Sequence, residues 1–347
     1  MRCPVHTLAS LLVAAAVLLP CRLASPAPKP RTTLGIQGAR FTLNGKPTFL
    51  LGISYYAGLG ASDATVRADL REAKRLGVNW LREWATWAGF GNDVSAVDAE
   101  GKPRQPYLDR LRALVARCDG MGMAVDVTLS RGNGERDSPN LLTLPAHRRA
   151  VRTLIEALKP YRNWYLDLAN ERNIGDARHA STQDLAILRE DARRLAPWLL
   201  VTASQGGDIP PDDLREYLLE SKVDFVTPHR PREAGSAAQT ERVTRKLMAE
   251  MGKLGRVVPI HYQEPFRRGY ADWQPSEEDY LTDLRGAMAG GAAGWCFHNG
   301  NQRDTPGERP RRSFDLRDRP LFQQLDPVEL RALKGLKGLR GLRGLKG

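Results

Sequence analysis

Residues 164–171 read Trp-Tyr-Leu-Asp-Leu-Ala-Asn-Glu, an aromatic and aliphatic run that stops at an amide and a carboxylate. This pattern is typical of a short buried β-strand with polar side chains at its carboxyl end. A second run, residues 257–263, ends in the same way at Glu264. In parallel α/β folds the carboxyl ends of the strands share one edge of the sheet, where the chemistry is concentrated. We therefore expect Asn170, Glu171 and Glu264 to meet at one edge of a single sheet.

Strand and helix patterns alternate along the chain on both sides of this run. The predicted strands cover residues 49–54, 78–83, 124–129, 164–171, 198–203, 223–227, 257–263 and 293–297. The predicted helices cover residues 63–76, 106–119, 145–158, 182–195, 212–219, 237–254, 277–289 and 319–333. Eight right-handed βα units of this length predict an α/β fold, a closed (β/α)8 TIM barrel. Asn44-Gly45 between two alternating runs predicts a short N-terminal β-hairpin in front of it.

The segments that flank the predicted barrel, which covers residues 35–330, differ from it in composition. Residues 1–24 have a basic start, an apolar run and a small-residue cleavage site, as a secretory signal peptide has. A lipoprotein signal is an alternative, but Pro20 stands directly before Cys21 where a small residue is expected. Residues 25–34 are rich in proline and predict an extended linker. We expect a mature protein that is soluble and either secreted or periplasmic.

The formal charge of +12 is unevenly distributed along the chain. Two basic residues lie in the leader and six lie from Arg331 onward, which leaves +4 for residues 25–330. So small an excess gives little support to a nucleic-acid partner, and we expect none. From Leu333 the triplet Leu-Lys/Arg-Gly repeats five times, which predicts a disordered basic tail over residues 331–347. Weak contact of this tail with an anionic surface is an alternative to a purely solvated extension. We expect a monomer.

Removal of the leader leaves two cysteines, Cys118 and Cys296. The first is predicted late on an outer helix and the second on a barrel strand, so we do not expect a disulfide between them. The spacing of Cys and His residues predicts no structural zinc site, and we expect neither a metal nor a cofactor. A metal-dependent barrel hydrolase is a rival hypothesis. No His-x-His pair occurs among the histidines it would have to use, which are His147, His179, His229, His261 and His298.

Several residues at strand ends occur in an order that is found in one group of enzymes. They are Asn44-Gly45-Lys46-Pro47 before the first strand, Arg82 ending the second, Asn170-Glu171 ending the fourth, His229 ending the sixth and Glu264 ending the seventh. In this order, residues 35–325 resemble the cellulase-like glycoside hydrolases, family 5 and its relatives in clan A. The resemblance implies a retaining glycoside hydrolase that acts on a β-linked polysaccharide or oligosaccharide.

By this resemblance Glu171 is the acid/base and Glu264 the nucleophile. The chemistry agrees, because one carboxylic acid must protonate the departing oxygen while a second carboxylate attacks or stabilises the anomeric carbon. Arg82 close to Glu264 would hold that group ionised, whereas burial and a neighbouring negative charge would favour the protonated form of Glu171. Asn170 would hydrogen-bond the sugar hydroxyl beside the reacting carbon. Each glutamate taken alone could instead be an acid beside a helix N-terminus.

One position departs from the pattern of the clan, which has a tyrosine two residues after the strand-six histidine. Here Pro231 stands in that place after His229. Tyr262 and Tyr56 are candidates to replace the missing phenol. His229 itself either contacts the site or caps a loop.

Four further residues are candidates for contact with a sugar. Trp84 and Trp87 either stack on sugar rings or anchor the long loop that follows strand two. The platform residue that the clan carries on strand eight falls on Trp295 or on His298, depending on the register of that strand.

A carbohydrate-binding barrel that has lost catalysis is a rival from another functional class. Such a protein needs the cleft, but neither carboxylate in a particular ionisation state. The presence of both glutamates favours the enzyme.

Overall fold

The computed structural model describes residues 29–89, 92–130, 141–174, 179–270, 272–300, 315–317 and 319–342. The predicted signal peptide, the first residues of the linker and the end of the tail lie outside these ranges. Within them, no helix combines the length and apolarity that crossing a membrane requires.

The elements of the described ranges follow in chain order. The strands are β1 (Leu34–Gln37), β2 (Arg40–Leu43), β3 (Lys46–Pro47), β4 (Leu50–Ser54), β5 (Trp80–Trp84), β6 (Ala88–Gly89), β7 (Asn92–Asp93), β8 (Ala124–Ser130), β9 (Trp164–Asn170), β10 (Leu200–Thr202), β11 (Ser204–Gln205), β12 (Thr227–Pro228), β13 (His261–Tyr262) and β14 (Gly294–Phe297). The helices are α1 (Asp63–Arg75), α2 (Tyr107–Met121), α3 (Leu144–Leu158), α4 (Thr182–Leu195), α5 (Pro211–Arg215), α6 (Ser236–Lys253), α7 (Glu277–Gly290) and α8 (Pro327–Leu342). Short 3-10 turns lie at Gly58–Gly60 and Leu321–Gln323, and a π-helical turn at Glu216–Glu220.

Seven of the described strands form one parallel sheet in the order β10-β9-β8-β5-β4-β14-β13. The short strand β12 lies between its two edges. It pairs in parallel with β11, which follows β10, and Val226 just before it forms a parallel bridge with Ile260. Eight strand positions therefore succeed one another around a TIM-barrel-like fold, and the predicted fold class is confirmed. Strands β12 and β13 are shorter than predicted. Strand β12 begins only at Thr227, and Pro259 has no N–H with which β13 could extend towards residue 257.

A three-stranded antiparallel sheet, β1-β2-β3, packs at the amino end of the barrel. The turn between β2 and β3 has positive φ at Asn44 (53°) and Gly45 (76°), as the Asn-Gly pair predicts. The ring of Phe41 lies 5.0 Å from Phe225 and 5.7 Å from His261, so this sheet covers the bottom of the barrel. The N-terminal sheet does not cover the opposite end of the barrel, where the carboxyl ends of the strands and the candidate functional residues lie.

The described end of the predicted linker is fixed to the barrel. The backbone N–H of Thr32 donates to the carboxylate of Asp119 on α2 at 2.9 Å, and Thr33 bridges to Arg162. Thr32 is accordingly buried. Residues 32 and 33 thus belong to the folded unit rather than to a free extended segment.

Helix α8 differs from the disordered tail expected from residue 331. Leu333 and Leu336 are buried, and a Cβ atom placed on Gly335 would lie 3.0 Å from Leu281 on α7. The glycine therefore lets α8 approach α7 closely. Burial of leucines on one face offsets the poor helix propensity of the glycines. Contact of this basic segment with an anionic surface stays a prediction.

Cys118 lies on α2 and Cys296 on β14, and both are buried and free. The prediction that they are not linked to each other is confirmed. Burial raises the pKa of Cys118 to about 12, so it remains a thiol at neutral pH.

The packing of Gly52 generates a test of the barrel interior. A Cβ atom on Gly52 of β4 would overlap the indole ring of Trp80, which is fully buried. We expect Gly52→Ala to lower the free energy of unfolding by about 3 kcal/mol through overpacking. The measurement is urea unfolding followed by tryptophan fluorescence.

The matched control is Gly252→Ala on helix α6, where no atom lies within 4 Å of the added Cβ. This variant should gain about 0.5 kcal/mol, because alanine favours the helix. Equal stability of the two variants would contradict the packing described for Trp80.

Candidate active site

A buried arginine organises the carboxyl end of the barrel. Arg82 on β5 is fully buried and forms an ion pair with Glu264. Its guanidinium also lies 3.1 Å from Asp167 Oδ2 and 3.2 Å from Asp126 Oδ2, and it donates to Asn170 Oδ1 at 2.9 Å. One cation thus joins β8, β9 and the segment after β13. Asp126 and Asp167, which are both buried, are thus each paired with this arginine.

The pKa of Glu264 lies below the ordinary value of a carboxyl group. Burial alone would raise it, but His229, His298, Arg82 and Arg232 lower it by a larger amount. Burial lowers the pKa of His298 well below its usual value, so that ring is neutral. The two arginines are charged at neutral pH and hold Glu264 ionised beside them.

Glu171 follows β9 directly and has an unusual backbone conformation. Its φ is 47°, in the left-handed region that costs a non-glycine residue roughly 1–3 kcal/mol. Its backbone N–H donates to Ser204 Oγ at 2.9 Å. The Glu171 side chain is 19% exposed, against 5% for the side chain of Glu264. Strain of this kind at a strand end is common at functional sites.

The two glutamates lie side by side. One oxygen of each carboxylate and a ring nitrogen of His229 all lie within 4.8 Å of one another. His229 Nδ1 is 3.1 Å from Glu171 Oε1 and 3.6 Å from Glu264 Oε2. The structure therefore brings together the pair that was predicted from two strand ends more than ninety residues apart in sequence.

Arg232 also belongs to this site, and the sequence did not predict it. Its Nη2 lies 2.6 Å from Glu264 Oε2 and 3.5 Å from Glu171 Oε1. Arg232 stands beside Pro231, the position where the clan pattern failed, and that mismatch was the available signal. Two carboxylates and a histidine have the ligand chemistry of a divalent cation, but here a guanidinium supplies positive charge between the carboxylates.

His298 occupies the strand-eight position beside the carboxylates. Its Nε2 lies 3.5 Å from Glu264 Oε2 and 2.7 Å from the hydroxyl of Tyr56. Arg267, also not predicted, places Nη1 3.2 Å from the same ring nitrogen and 3.3 Å from the Tyr56 hydroxyl. Of the two phenols considered as replacements, Tyr56 is the one at the site.

Tyr262 and Trp295 lie elsewhere, contrary to the expectation that they contact substrate. The Tyr262 hydroxyl is 2.6 Å from Thr244 Oγ1 on α6, and Trp295 Nε1 donates to Asp283 Oδ2 on α7 at 2.6 Å. Side chains alternate between the two faces of a strand, and these two point outward to the helices. His298 lies beyond the end of β14 and is free of that alternation.

Trp84 and Trp87 are buried beneath the loop that follows β5, with 3% and 0% exposure. Their rings lie 5.7 and 4.9 Å from Tyr56, and the Arg82 guanidinium lies 4.8 Å from the Trp84 ring. Such burial favours the loop-anchor alternative over sugar stacking. The two tryptophans support Tyr56 and Arg82 from behind.

No protein-family model and no curated protein matches the sequence. Solved structures match in fold. A Bacteroides vulgatus protein provisionally assigned as a glycoside hydrolase matches with a TM-score of 0.67 at 14% identity. This match covers 90% of our chain but only 62% of that protein, so our chain spans less than two thirds of its length.

A family 5 mannosidase from Rhizomucor miehei matches with a TM-score of 0.61 at 15% identity, over 88% of our chain and 96% of that one. A mutant of a family 5 mannosidase from the same organism, in complex with mannosyl-fructose, matches with a TM-score of 0.57 at 16% identity, over 88% and 96% of the two chains. Similarity at this level of identity shows the fold. The chain has a TIM-barrel-like fold similar to that of family 5 glycoside hydrolases, and the predicted resemblance is confirmed at the level of fold.

The contacts of Arg82 generate a stability test. Arg82→Met removes the cation and leaves the carboxylates of Glu264 and Asp167 buried without it. We expect a loss of about 4 kcal/mol in the free energy of unfolding, because uncompensated buried charge is costly. The measurement is chemical denaturation at pH 7.

The control is Arg67→Met, which breaks an ion pair with Asp63 whose two side chains are each 54% exposed. That variant should lose less than about 1 kcal/mol. Similar losses in both variants would show that the Arg82 network does not stabilise the barrel.

Proposed function

We propose that this chain, which has the fold of the family 5 glycoside hydrolases, is a retaining glycoside hydrolase that cleaves O-glycosidic bonds in a β-linked polysaccharide or oligosaccharide. The observation that carries the proposal is the approach of the Glu171 and Glu264 carboxylates to within 4.8 Å at the carboxyl end of the barrel. Retaining enzymes hold their two carboxyl groups about 5–5.5 Å apart, whereas inverting enzymes leave about 6.5–9.5 Å for a water. The spacing supports a double displacement.

Glu264 is the nucleophile of this mechanism. It is buried and ionised beside Arg82 and Arg232. Its carboxylate attacks the anomeric carbon and forms a glycosyl ester as the bond to the leaving oxygen breaks. In this mechanism Asn170, whose Oδ1 accepts a hydrogen bond from Arg82, hydrogen-bonds the hydroxyl beside the reacting carbon.

Glu171 is the general acid and base. Its carboxyl group is the more exposed of the two and has His229 Nδ1 at 3.1 Å. In the first step Glu171 gives its proton to the leaving oxygen. In the second it takes a proton from water, whose oxygen attacks the anomeric carbon and releases Glu264 as a carboxylate.

The identity of the substrate as a sugar is supported by the fold neighbour in complex with mannosyl-fructose. The leader-like composition of residues 1–24 supports export to the periplasm or the medium as part of this proposal. The rival, a binding barrel without catalysis, uses the same cleft and is separated from the enzyme by turnover alone.

Replacement of each glutamate by glutamine tests the roles on aryl β-glycosides and a panel of β-linked polysaccharides. Glu264→Gln should lower kcat/KM by about 10⁴-fold or more on every substrate, because no nucleophile remains. Glu171→Gln should lose as much on polysaccharides but less on dinitrophenyl glycosides, whose leaving group needs no proton. Initial-rate NMR should show the β-anomer released first.

The control is Glu233→Gln, an exposed glutamate next to Arg232, which should keep full activity. Unchanged turnover in both Glu171→Gln and Glu264→Gln would end the hydrolase proposal and favour the binding barrel.

The pH dependence of kcat/KM tests the ionisation states. The pKa of Glu264 is depressed, so acidification should not protonate it until the pH falls below the ordinary carboxyl value of about 4.3. The rate should therefore stay constant on the acid side down to about pH 4 and fall on the alkaline side as the general acid loses its proton. In Glu171→Gln the alkaline fall should disappear with dinitrophenyl glycosides. An acid limb centred above about pH 5 in the wild type would contradict the assignment of Glu264.

A further inference from the structure

The guanidinium of Arg232 lies where a reacting sugar has to bind. One nitrogen, Nη2, is 2.6 Å from Glu264 Oε2 and 3.5 Å from Glu171 Oε1, in the space between the two carboxylates. The other oxygen of Glu264, Oε1, is held by Arg82 from the barrel interior. A sugar that is attacked by Oε2 therefore contacts Arg232.

The other two nitrogens of the Arg232 guanidinium are not engaged by Glu264 or Glu171. Within the described part of the chain, its Nε and Nη1 donate no hydrogen bond, and the side chain is 15% exposed. Its Cζ lies 4.6 Å from the centre of the Tyr270 ring, and Arg267 Cζ lies 5.2 Å from the same ring. Tyr270 is 41% exposed. Arg232, Arg267 and Tyr270 thus form a basic wall beside the site, in which Arg267 is buried, Tyr270 is the exposed edge, and both guanidinium groups pack against the aromatic ring.

Neutralisation of the nucleophile does not require this second arginine. Arg82 already pairs with Glu264 from beneath, and withdrawal of a further cation from water carries a desolvation cost. A hydrogen bond from Arg232 to Oε2 also draws electron density from the oxygen that attacks. A ligand that takes this guanidinium would both compensate the charge and release Oε2.

We propose that the sugar that reacts carries a carboxylate, so that the enzyme cleaves a uronic acid glycoside and Arg232 binds the uronate. This inference rests on the proposed hydrolase function and names its substrate class. In a uronic acid the ring oxygen joins two carbons. One is the anomeric carbon, and the other carries the carboxylate. The Arg232 guanidinium, which lies beside the nucleophile Glu264, is therefore close to the carboxylate of a uronic acid bound for attack.

The chemistry of the two groups matches. A guanidinium presents parallel N–H donors to the two oxygens of a carboxylate, and such charge-assisted bonds are roughly twice as strong as neutral ones. A neutral sugar offers a hydroxymethyl group in the same place and leaves Arg232 on Glu264. The site thus selects the uronate in two ways. Arg232 attracts the carboxylate, and with a neutral sugar Arg232 stays hydrogen-bonded to Glu264 and hinders its attack.

The test compares matched pairs of nitrophenyl glycosides: β-glucuronide with β-glucoside, β-galacturonide with β-galactoside, and β-mannuronide with β-mannoside. For at least one ring configuration, kcat/KM for the uronide should exceed that for its neutral partner by about 100-fold or more. Arg232→Met should lower this ratio by about 100-fold, with most of the change in KM for the uronide. Arg232→Lys keeps the charge without the fork and should give an intermediate ratio.

The matched control is Arg268→Met, which removes a nearby guanidinium that donates to Asp326 at 2.7 Å. It should leave the ratio unchanged. Neutral glycosides cleaved as fast as uronides, with a ratio that Arg232→Met does not alter, would overturn the inference. If Glu264→Gln abolishes that neutral activity, the hydrolase proposal still stands.

A second measurement separates the two proposals in the opposite direction. Calorimetric titration compares D-glucuronate, D-galacturonate and D-mannuronate with the corresponding neutral sugars in the wild type and in Arg232→Met. Uronate binding that is lost in Arg232→Met, without hydrolysis of any glycoside, would support the site and end the hydrolase proposal. The absence of both uronate binding and hydrolysis would overturn both.

Discussion

The site depends on one buried cation. Arg82 has no exposure to solvent, so the carboxyl end of the barrel has to supply anions around it. Asp126, Asp167 and Glu264 come from three different elements and converge on its guanidinium. A stability requirement and a positioning requirement are thus met by the same contacts. The residue proposed to attack the sugar is fixed in place because the fold needs its charge.

The two glutamates differ in their surroundings although they are neighbours. Glu264 is buried and its pKa is depressed by adjacent cations. Glu171, directly after β9, has a left-handed backbone conformation, and its side chain is more exposed than that of Glu264. Two carboxyl groups in unequal environments are what an acid and a nucleophile need in order to hold different protonation states at one pH.

Arg232 gives this site a character that the clan pattern does not contain. It lies on the loop after β12, which Arg230 anchors through the Ser236 carbonyl at 2.9 Å, with a φ of 34° at Arg230 itself. The loop presents a guanidinium from Arg232, one residue after the position where the clan pattern has a tyrosine. The same barrel and the same two carboxylates are thereby combined with a basic wall, which we propose selects an anionic sugar, as loops commonly set specificity on a shared scaffold.

Much of the fold follows from local pattern. The eight strand positions, the turn at Asn44 and Gly45, and the grouping of Asn170, Glu171 and Glu264 were predicted from periodicity and from polar residues at strand ends, because parallel strands bring those ends to one edge. Arg82 and His229 were added to this group by the family resemblance. The sequence did not decide which face Tyr262 and Trp295 occupy, since a shift of one residue reverses the direction of a strand side chain. Nor did it reveal Arg232 or the packing of α8 on α7. Those features depend on an irregular loop and on a close helix contact, and both are settled only when distant parts of the chain pack together.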